Sequence, residues 1–451
     1  MGGLKAKAAS AVERALAAGA GDAEAYASEA ENREVRVHGG EVESLTAATQ
    51  RGLGLRVWIG GRVGYGFGTD LSPEGLAALA ERAVDAARAA DEDEFAGPPS
   101  GGAEIAPLPG LVDVSRAEWP TRRVSELALA VERTALDADP RIAGVEQAVY
   151  SDSGERVAIA SSAATGGEYE ATSCYAYLQA LADGDDGRET GLGFGLARGP
   201  AGLDPAAIGR EGAERATAMV GSSKPASRSC PVVLDPTVAA GFVGLLGKAA
   251  GADAVQRGRS PLGELLGEVV AAEAFVLHDD GLDIGGFAAA SVDAEGTPRR
   301  RTALIEGGRL TTFLHDAYTA RRGGGASTGN AGRSGYRVPP GVSPSNLVVA
   351  PGEASPERLL REAGDGVYVD DVAGLHSGVN PVTGVFSVGA SGRAIRGGEP
   401  AEPLREFTIA GDLVSMLRAV RAVGSRPRWV PFGGSVSTPA LLIGEMAVSG
   451  S

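Results

Sequence analysis

The sequence predicts an α+β protein, with helices flanking an antiparallel sheet in the N-terminal half and a β-rich C-terminal half. Three observations carry this reading. Up to about residue 220, segments with helical apolar spacing alternate with segments of strand-like alternation. Gly-Gly pairs fall between strand-like segments, where a two-residue hairpin needs positive φ at both positions. From Cys230 onward the texture changes to short strands with many glycines and few helices.

Taken in order, residues 4–19 read as an Ala-rich amphipathic helix. Four strand signals follow at 23–30, 33–39, 41–47 and 52–68, the last carrying a hairpin turn at Gly60-Gly61. His38-Gly39-Gly40-Glu41 is a second tight turn. Ser72 is a natural N-cap, with Pro73 at the first helical position and Glu74 in the first turn. The helix they begin runs to about Ala90, with Leu76, Leu79, Ala83 and Ala86 at helical spacing. Residues 91–110 are acidic and rich in Pro and Gly, as a surface linker is. A helix is expected over 121–138, alternating strands from Arg141 to Arg198, a helix over 204–220, and a second linker at 221–228. Further hairpin turns are expected at Gly307-Gly308 and Gly397-Gly398. The division is therefore into α+β subdomains at 1–105 and 111–222 and a β-rich domain at 228–451.

Composition excludes several classes. The 451 residues contain 43% hydrophobic and 22% charged residues, ordinary for a chain that buries its own core. With two cysteines, Cys174 and Cys230, a disulfide framework is ruled out and a reducing, cytoplasmic setting is expected. Glu13 and Arg14 interrupt any apolar signal segment, and no run of about 18 apolar residues offers a membrane span. The net charge of −16 comes without a basic stripe, so neither nucleic acid nor a membrane is an expected partner.

The chemistry-bearing motifs are few. The four histidines, His38, His278, His315 and His376, are widely separated, and none has the partner one turn away that a zincin helix requires. His278-Asp279-Asp280 reads as a solvated turn rather than a metal site. The GASTG at 325–329 matches the nucleophile-elbow pattern, yet the residues after it cannot continue as the helix that elbow needs. The glycines at 241–247 before Lys248 miss phosphate-loop spacing, and Ala249 replaces the metal-binding hydroxyl, so 238–250 reads as a packed small-residue helix. The GLGFG at 191–195 lies in a strand and lacks the third dinucleotide glycine. The stretch 321–333 joins arginines, glycines and small polar side chains. It is either a surface loop or one that lays backbone donors against an extended peptide or an anion.

The chain resembles the TldD/PmbA family over nearly its whole length. The resemblance rests on GEVE at 40–43, GLGLRV at 52–57, GGRVG at 60–64 and TDLS at 69–72. In the C-terminal half it rests on STGNAG at 327–332, GLHSGVNPVTG at 374–384, SVGASG at 387–392, IAGDL at 409–413 and AVG at 422–424. In one branch of that family a HExxxH helix and a later cysteine bind zinc. The PmbA, or TldE, branch lacks these ligands. Here the corresponding stretch, 244–249, has neither histidine nor glutamate, and no cysteine occurs near Pro431-Phe432-Gly433. The resemblance thus implies a PmbA-type subunit with no catalytic or metal-ligating residue and no cofactor of its own, paired with a TldD-type zinc-bearing subunit that cleaves unfolded or small peptides. Arg321, Arg322, Ser327, Thr328, Asn330, Arg333, His376 and Asn380 are the candidate substrate-binding residues. The rival readings are a subunit of a non-proteolytic enzyme in natural-product biosynthesis and a non-enzymatic regulatory binding protein.

Overall fold

The computed structural model describes residues 3–100, 105–184, 187–432 and 434–450; the expected linker positions 101–104 and Gly433 lie outside them. Two αβββα units come first. One consists of α1 (Leu4–Ala17), β1 (Asp22–His38), β2 (Glu41–Ile59), β3 (Arg62–Gly68) and α2 (Pro73–Ala89). The other consists of α3 (Thr121–Ala138), β4 (Ile142–Ser161), β5 (Gly166–Gly184), β6 (Gly187–Ala197) and α4 (Pro205–Ala218). Their strands join into one antiparallel sheet in the order β3-β2-β1-β4-β5-β6.

The four strand signals of the first unit merge into longer strands. The segments at 23–30 and 33–39 form β1, and those at 41–47 and 52–59 form β2. Pairing on both sides of β1 holds the chain extended through the polar residues between the signals. The Gly39-Gly40 and Gly60-Gly61 turns have φ of +62°/+79° and +55°/+78°, the mirror-image turn geometry that suits the twist of a hairpin. Ser72 caps α2 by accepting from Gly75 N at 3.0 Å, with Pro73 opening the helix. Ala86 points to solvent instead of the core, and Ala87 takes its place.

In each unit the last helix lies directly on the third strand, because that strand is striped with glycine. A Cβ on Gly64 would sit 2.1 Å from Ala83 O of α2. One on Gly193 would sit 2.1 Å from Ile208 O of α4. That backbone approach explains the GLGFG run. Leu53, Leu55, Leu76 and Leu79 form the cluster of the first unit, and Val124, Val131, Tyr150 and Leu178 that of the second, which Val35 of β1 joins.

The C-terminal half follows with β7 (Arg228–Leu234), α5 (Pro236–Ala249), α6 (Ala252–Gln256), β8 (Leu277–Asp280), β9 (Arg301–Glu306), β10 (Arg309–Leu310), α7 (Ala317–Arg322), β11 (Ala331–Gly332), β12 (Gly341–Val342) and β13 (Asn346–Val349). It ends with α8 (Pro356–Ala363), β14 (Gly366–Ala373), β15 (Val385–Arg396), β16 (Glu399–Asp412), α9 (Leu413–Arg418), β17 (Val420–Val423), β18 (Arg428–Val430), β19 (Ser435–Thr438) and β20 (Leu441–Ser449). One sheet runs β16-β15-β14-β7-β20-β17, and a further β16–β20 pairing over Thr408–Ala410 closes five of these strands into a ring. The other runs β10-β9-β8-β13-β19-β18. Helix α5 packs into the main core through Val238, Phe242, Val243 and Leu246. The hairpin turns at Gly307-Gly308 and Gly397-Gly398 form as expected, with both φ values positive in each.

His278-Asp279-Asp280 is strand β8 rather than a solvated turn. Asp279 is 1% exposed and accepts from Asn330 Nδ2 at 2.6 Å, Ser345 N at 2.6 Å and Ser345 Oγ at 2.7 Å. A carboxylate so supplied with donors can be buried in a strand, which the polar tripeptide alone does not reveal.

Candidate functional site

Two neighbouring hollows, ≈ 560 and ≈ 390 Å³, form a cleft where the open face of β5 and β6 meets α5 and the end of β14. Alternation along β5 buries Ala176, Leu178 and Ala180 beneath the helices and turns Tyr177 and Gln179 toward the C-terminal half. Helix α5 is capped by Asp235, whose carboxylate accepts from Thr237 N at 2.9 Å, and presents Thr237, Val238, Gly241, Leu245 and Lys248 to the larger hollow. These positions recur at helical spacing, so one face of α5 forms the cleft floor. Gly241 lets Leu375 descend onto the helix, since a Cβ there would meet the leucine at 2.5 Å.

The ends of the cleft differ. Leu192, Val238, Leu245, Leu375 and Phe432 make one end apolar. The other holds Asp235, Asp370, Asp371 and Glu214 beside Arg215 and Arg393. Burial pushes the Asp370 carboxyl up, and Arg393 counters it with bonds of 2.9 and 2.8 Å. Arg215 approaches Asp235 at 3.4 Å, and Tyr368 donates to the same carboxylate at 3.0 Å.

The sequence-predicted residues fall in several places. His376 is exposed on the loop after β14 and lines the apolar hollow. Asn380, on the same loop, accepts from Val382 N and Thr383 N at 2.9 and 3.2 Å and shapes the turn. Arg321 and Arg322 line a separate hollow of ≈ 240 Å³ between the first unit and α7. Arg321 is anchored there, donating to the carbonyls of Phe95, Gly97 and Pro98 at 2.6–2.8 Å, whereas Arg322 is exposed. Ser327 donates to His315 O at 3.2 Å. Thr328 and Asn330 are buried and joined at 2.7 Å, and Asn330 continues to Asp279. The Arg333 side chain is 1% exposed, bound to Glu24 at 2.9 Å and Ala294 O at 2.7 Å. The 321–333 stretch thus fastens the two halves of the molecule at its two ends, through Arg321 and Arg333, and its arginine hollow is distinct from the cleft that holds His376.

The α5 face, Tyr177, Gln179, Leu192 and Asp371 were not singled out from the sequence. The sole local signal was the acidic doublet Asp370-Asp371 at the end of an apolar strand. Among the described residues, no group of three His, Cys, Asp or Glu side chains is placed to hold a metal ion. His278 and His315 are lowered in pKa by burial, and the Nδ1 atom of each is buried without a partner. No helix among the described residues is long and apolar enough to cross a membrane.

Comparison with known proteins gives the same assignment along the chain. Residues 23–87, 115–220 and 227–450 match, in turn, the PmbA/TldA metallopeptidase domain 1, central domain and C-terminal domain. Metalloprotease PmbA of Escherichia coli O157:H7 is 29% identical over 442 residues, covering 96% of this chain and 94% of that protein. A Thermotoga maritima protein described as a modulator of DNA gyrase superposes with a TM-score of 0.91 at 26% identity, covering 99% of this chain and 100% of its own. TldE from Thermococcus kodakarensis shares the fold, with a TM-score of 0.89 at 22% identity over 97% of this chain and 99% of its own. The order of three matched domains, with the fold and cleft they build, shows that this chain belongs to the TldD/PmbA family.

Proposed function

We propose that this chain is the zinc-lacking, TldE-type subunit of a two-subunit metallopeptidase, acting in the cytoplasm on unfolded or small peptides. One observation carries the reading. Helix α5, the segment corresponding to the metal-binding helix of the TldD branch, turns Thr237, Gly241, Leu245 and Lys248 into the cleft, and none of these is a histidine or carboxylate. A zinc ion does not fit this donor set, so no hydrolytic step runs through this chain. Zinc and the water it activates belong to a TldD-type partner. This chain supplies a wall of the substrate chamber. Tyr177, Leu192 and Leu375 take apolar side chains of an extended peptide, while His376, Lys248 and Asp371 contact its polar groups.

The test is zinc content and peptidase activity of the purified chain, alone and co-purified with a TldD-type protein. Zinc and turnover confined to the complex support the proposal. Stoichiometric zinc or turnover in the chain alone would refute it.

A further inference from the structure

A hollow of ≈ 490 Å³, apart from the cleft, is bordered by β11 and β12 with the residues that follow each, and by Tyr26 of β1 and Tyr169 of β5. Both N-terminal units and the C-terminal half therefore meet around it. Among the described residues, the charged side chains on its wall are Arg299 and Arg333, with no carboxylate. The two differ in how their charge is met. Arg333 is neutralised by Glu24, although its Nε is buried without an acceptor. Arg299 forms no ion pair among the described residues. Its Nε donates to Val292 O at 3.3 Å, and neither terminal nitrogen has an acceptor, Nη1 being buried as well. The stem of Arg299 is seated on bare backbone, since a Cβ on Gly281 would lie 2.7 Å from its Cδ. Its neighbours in the run 299–301 are placed otherwise: Arg300 donates to Ser327 O, and Arg301 is exposed on β9 outside the hollow.

We propose that this hollow binds a small oxyanion, a carboxylate or a phosphate group, with Arg299 as its principal partner and Arg333 behind it. An arginine cannot shed its charge by losing a proton, so a half-buried guanidinium with open donors is met by an anion or by solvent. Its planar fork matches two oxygens of either group. Burial raises the phenols of Tyr26 and Tyr169, which keeps both protonated beside the anion. The carboxylates that act on these groups are engaged elsewhere or raised: Glu24 is held by Arg56 and Arg333, Asp279 by Asn330 and Ser345, and burial pushes the Glu155 carboxyl up. Ser334 lines the hollow and is exposed, so its hydroxyl is available to a further oxygen. Because both N-terminal units and the C-terminal half border the hollow, an anion bound there holds them together and stabilises the folded chain in step with its occupancy. This inference does not rest on the peptidase reading.

Thermal unfolding and isothermal titration calorimetry of the full chain test this, with sodium phosphate and with sodium acetate, each against sodium chloride at equal ionic strength and pH. At least one of the two anions is expected to saturate a single site and to raise the thermal midpoint beyond chloride. A preference for phosphate assigns the site to a phosphorylated ligand, and a preference for acetate to a carboxylate. Arg299→Met is expected to weaken binding by at least about tenfold, whereas Arg301→Met leaves it unchanged. Ser334→Glu sets a negative charge at the hollow and is expected to weaken binding to a similar degree, while the neutral Ser334→Gln does not. Ser334 is exposed, so this second variant keeps its fold and decides the matter if circular dichroism shows that Arg299→Met does not. The proposal is overturned if neither anion stabilises the chain beyond chloride. It is equally overturned by binding indifferent to Ser334→Glu or to a folded Arg299→Met, or by an equal loss in Arg301→Met.

Discussion

Replacing Arg333 with methionine is expected to destabilise the fold by about 4 kcal/mol, chiefly by stranding a negative charge in the interior. Glu24 on β1 and Arg56 on β2 belong to the N-terminal sheet, whereas Glu295 and Arg333 belong to the C-terminal half. Arg56 bridges Glu24 and Glu295 at 2.7 Å each, and Arg333 reaches Glu24 at 2.9 Å. The exposures of the four side chains are 0% for Glu24, 1% for Glu295 and Arg333, and 11% for Arg56. Two carboxylates are therefore balanced by two guanidinium groups. Burial pulls the Arg56 pKa down, but the charges of Glu24 and Glu295 outweigh it and hold the group above its ordinary value. Methionine matches the aliphatic stem of Arg333 but removes its charge, the bond to Ala294 O and the stacking over Tyr26 at 4.4 Å.

Breaking a buried pair from one side costs about 3–5 kcal/mol, and loss of a desolvated cation–π contact adds about 1 kcal/mol, against which relaxation and water entry recover part. Removing the stranded charge as well, in Glu24→Gln/Arg333→Met, should recover about 2 kcal/mol. Urea unfolding followed by circular dichroism, with linear extrapolation, measures each term. A single-variant loss below about 1 kcal/mol, or strict additivity in the double variant, would show that the network does not couple the two halves.

Other outcomes follow from the same structure. Gly64→Ala forces a methyl group to within 2.1 Å of a backbone oxygen of α2, so the helix must lift from β3 at a cost of about 1–3 kcal/mol, read as a lower thermal midpoint. Burial, and next the charge of Glu295, push the Asp293 carboxyl up to about 7. An unfolded aspartate loses its proton near ~4, so the folded state binds the extra proton between these values and this group makes stability fall as pH rises through that window. The thermal midpoint of the wild type minus that of Asp293→Asn should accordingly decline from about pH 4 to about pH 7; a flat difference would contradict the assignment. Burial, followed by the charge of Asp152, pushes the Cys174 thiol up to about 12, and burial also raises Cys230. Both thiols should be inert to a disulfide reagent at pH 8 in the native protein and reactive in denaturant. In a TldD-type complex, Lys248→Glu should lower peptide turnover with zinc content unchanged, whereas loss of zinc would place Lys248 in assembly instead.

The sequence alone determined the features that rest on neighbouring residues. Gly-Gly turns announce hairpins because almost only glycine takes positive φ freely at two successive positions. Ser72-Pro73-Glu74 announces a helix start because its hydroxyl, ring and carboxylate each suit the unpaired amides of a first turn. The missing histidines of α5 could likewise be read directly, since metal ligation requires particular side chains. Tertiary structure decided what depends on partners distant in the chain. It merged the broken strand signals into β1 and β2, because β1, paired on both sides, keeps its own polar stretch and that of β2 extended. Asp279 became a buried hub because Asn330 and Ser345, more than fifty residues away, supply its donors. Arg333 became an interior cation because Glu24, 309 positions earlier, neutralises it. The cleft arose where β5, α5 and the end of β14 meet. No one of these segments carries a motif, and the cleft exists only once the sheet and the closed ring of strands are packed together.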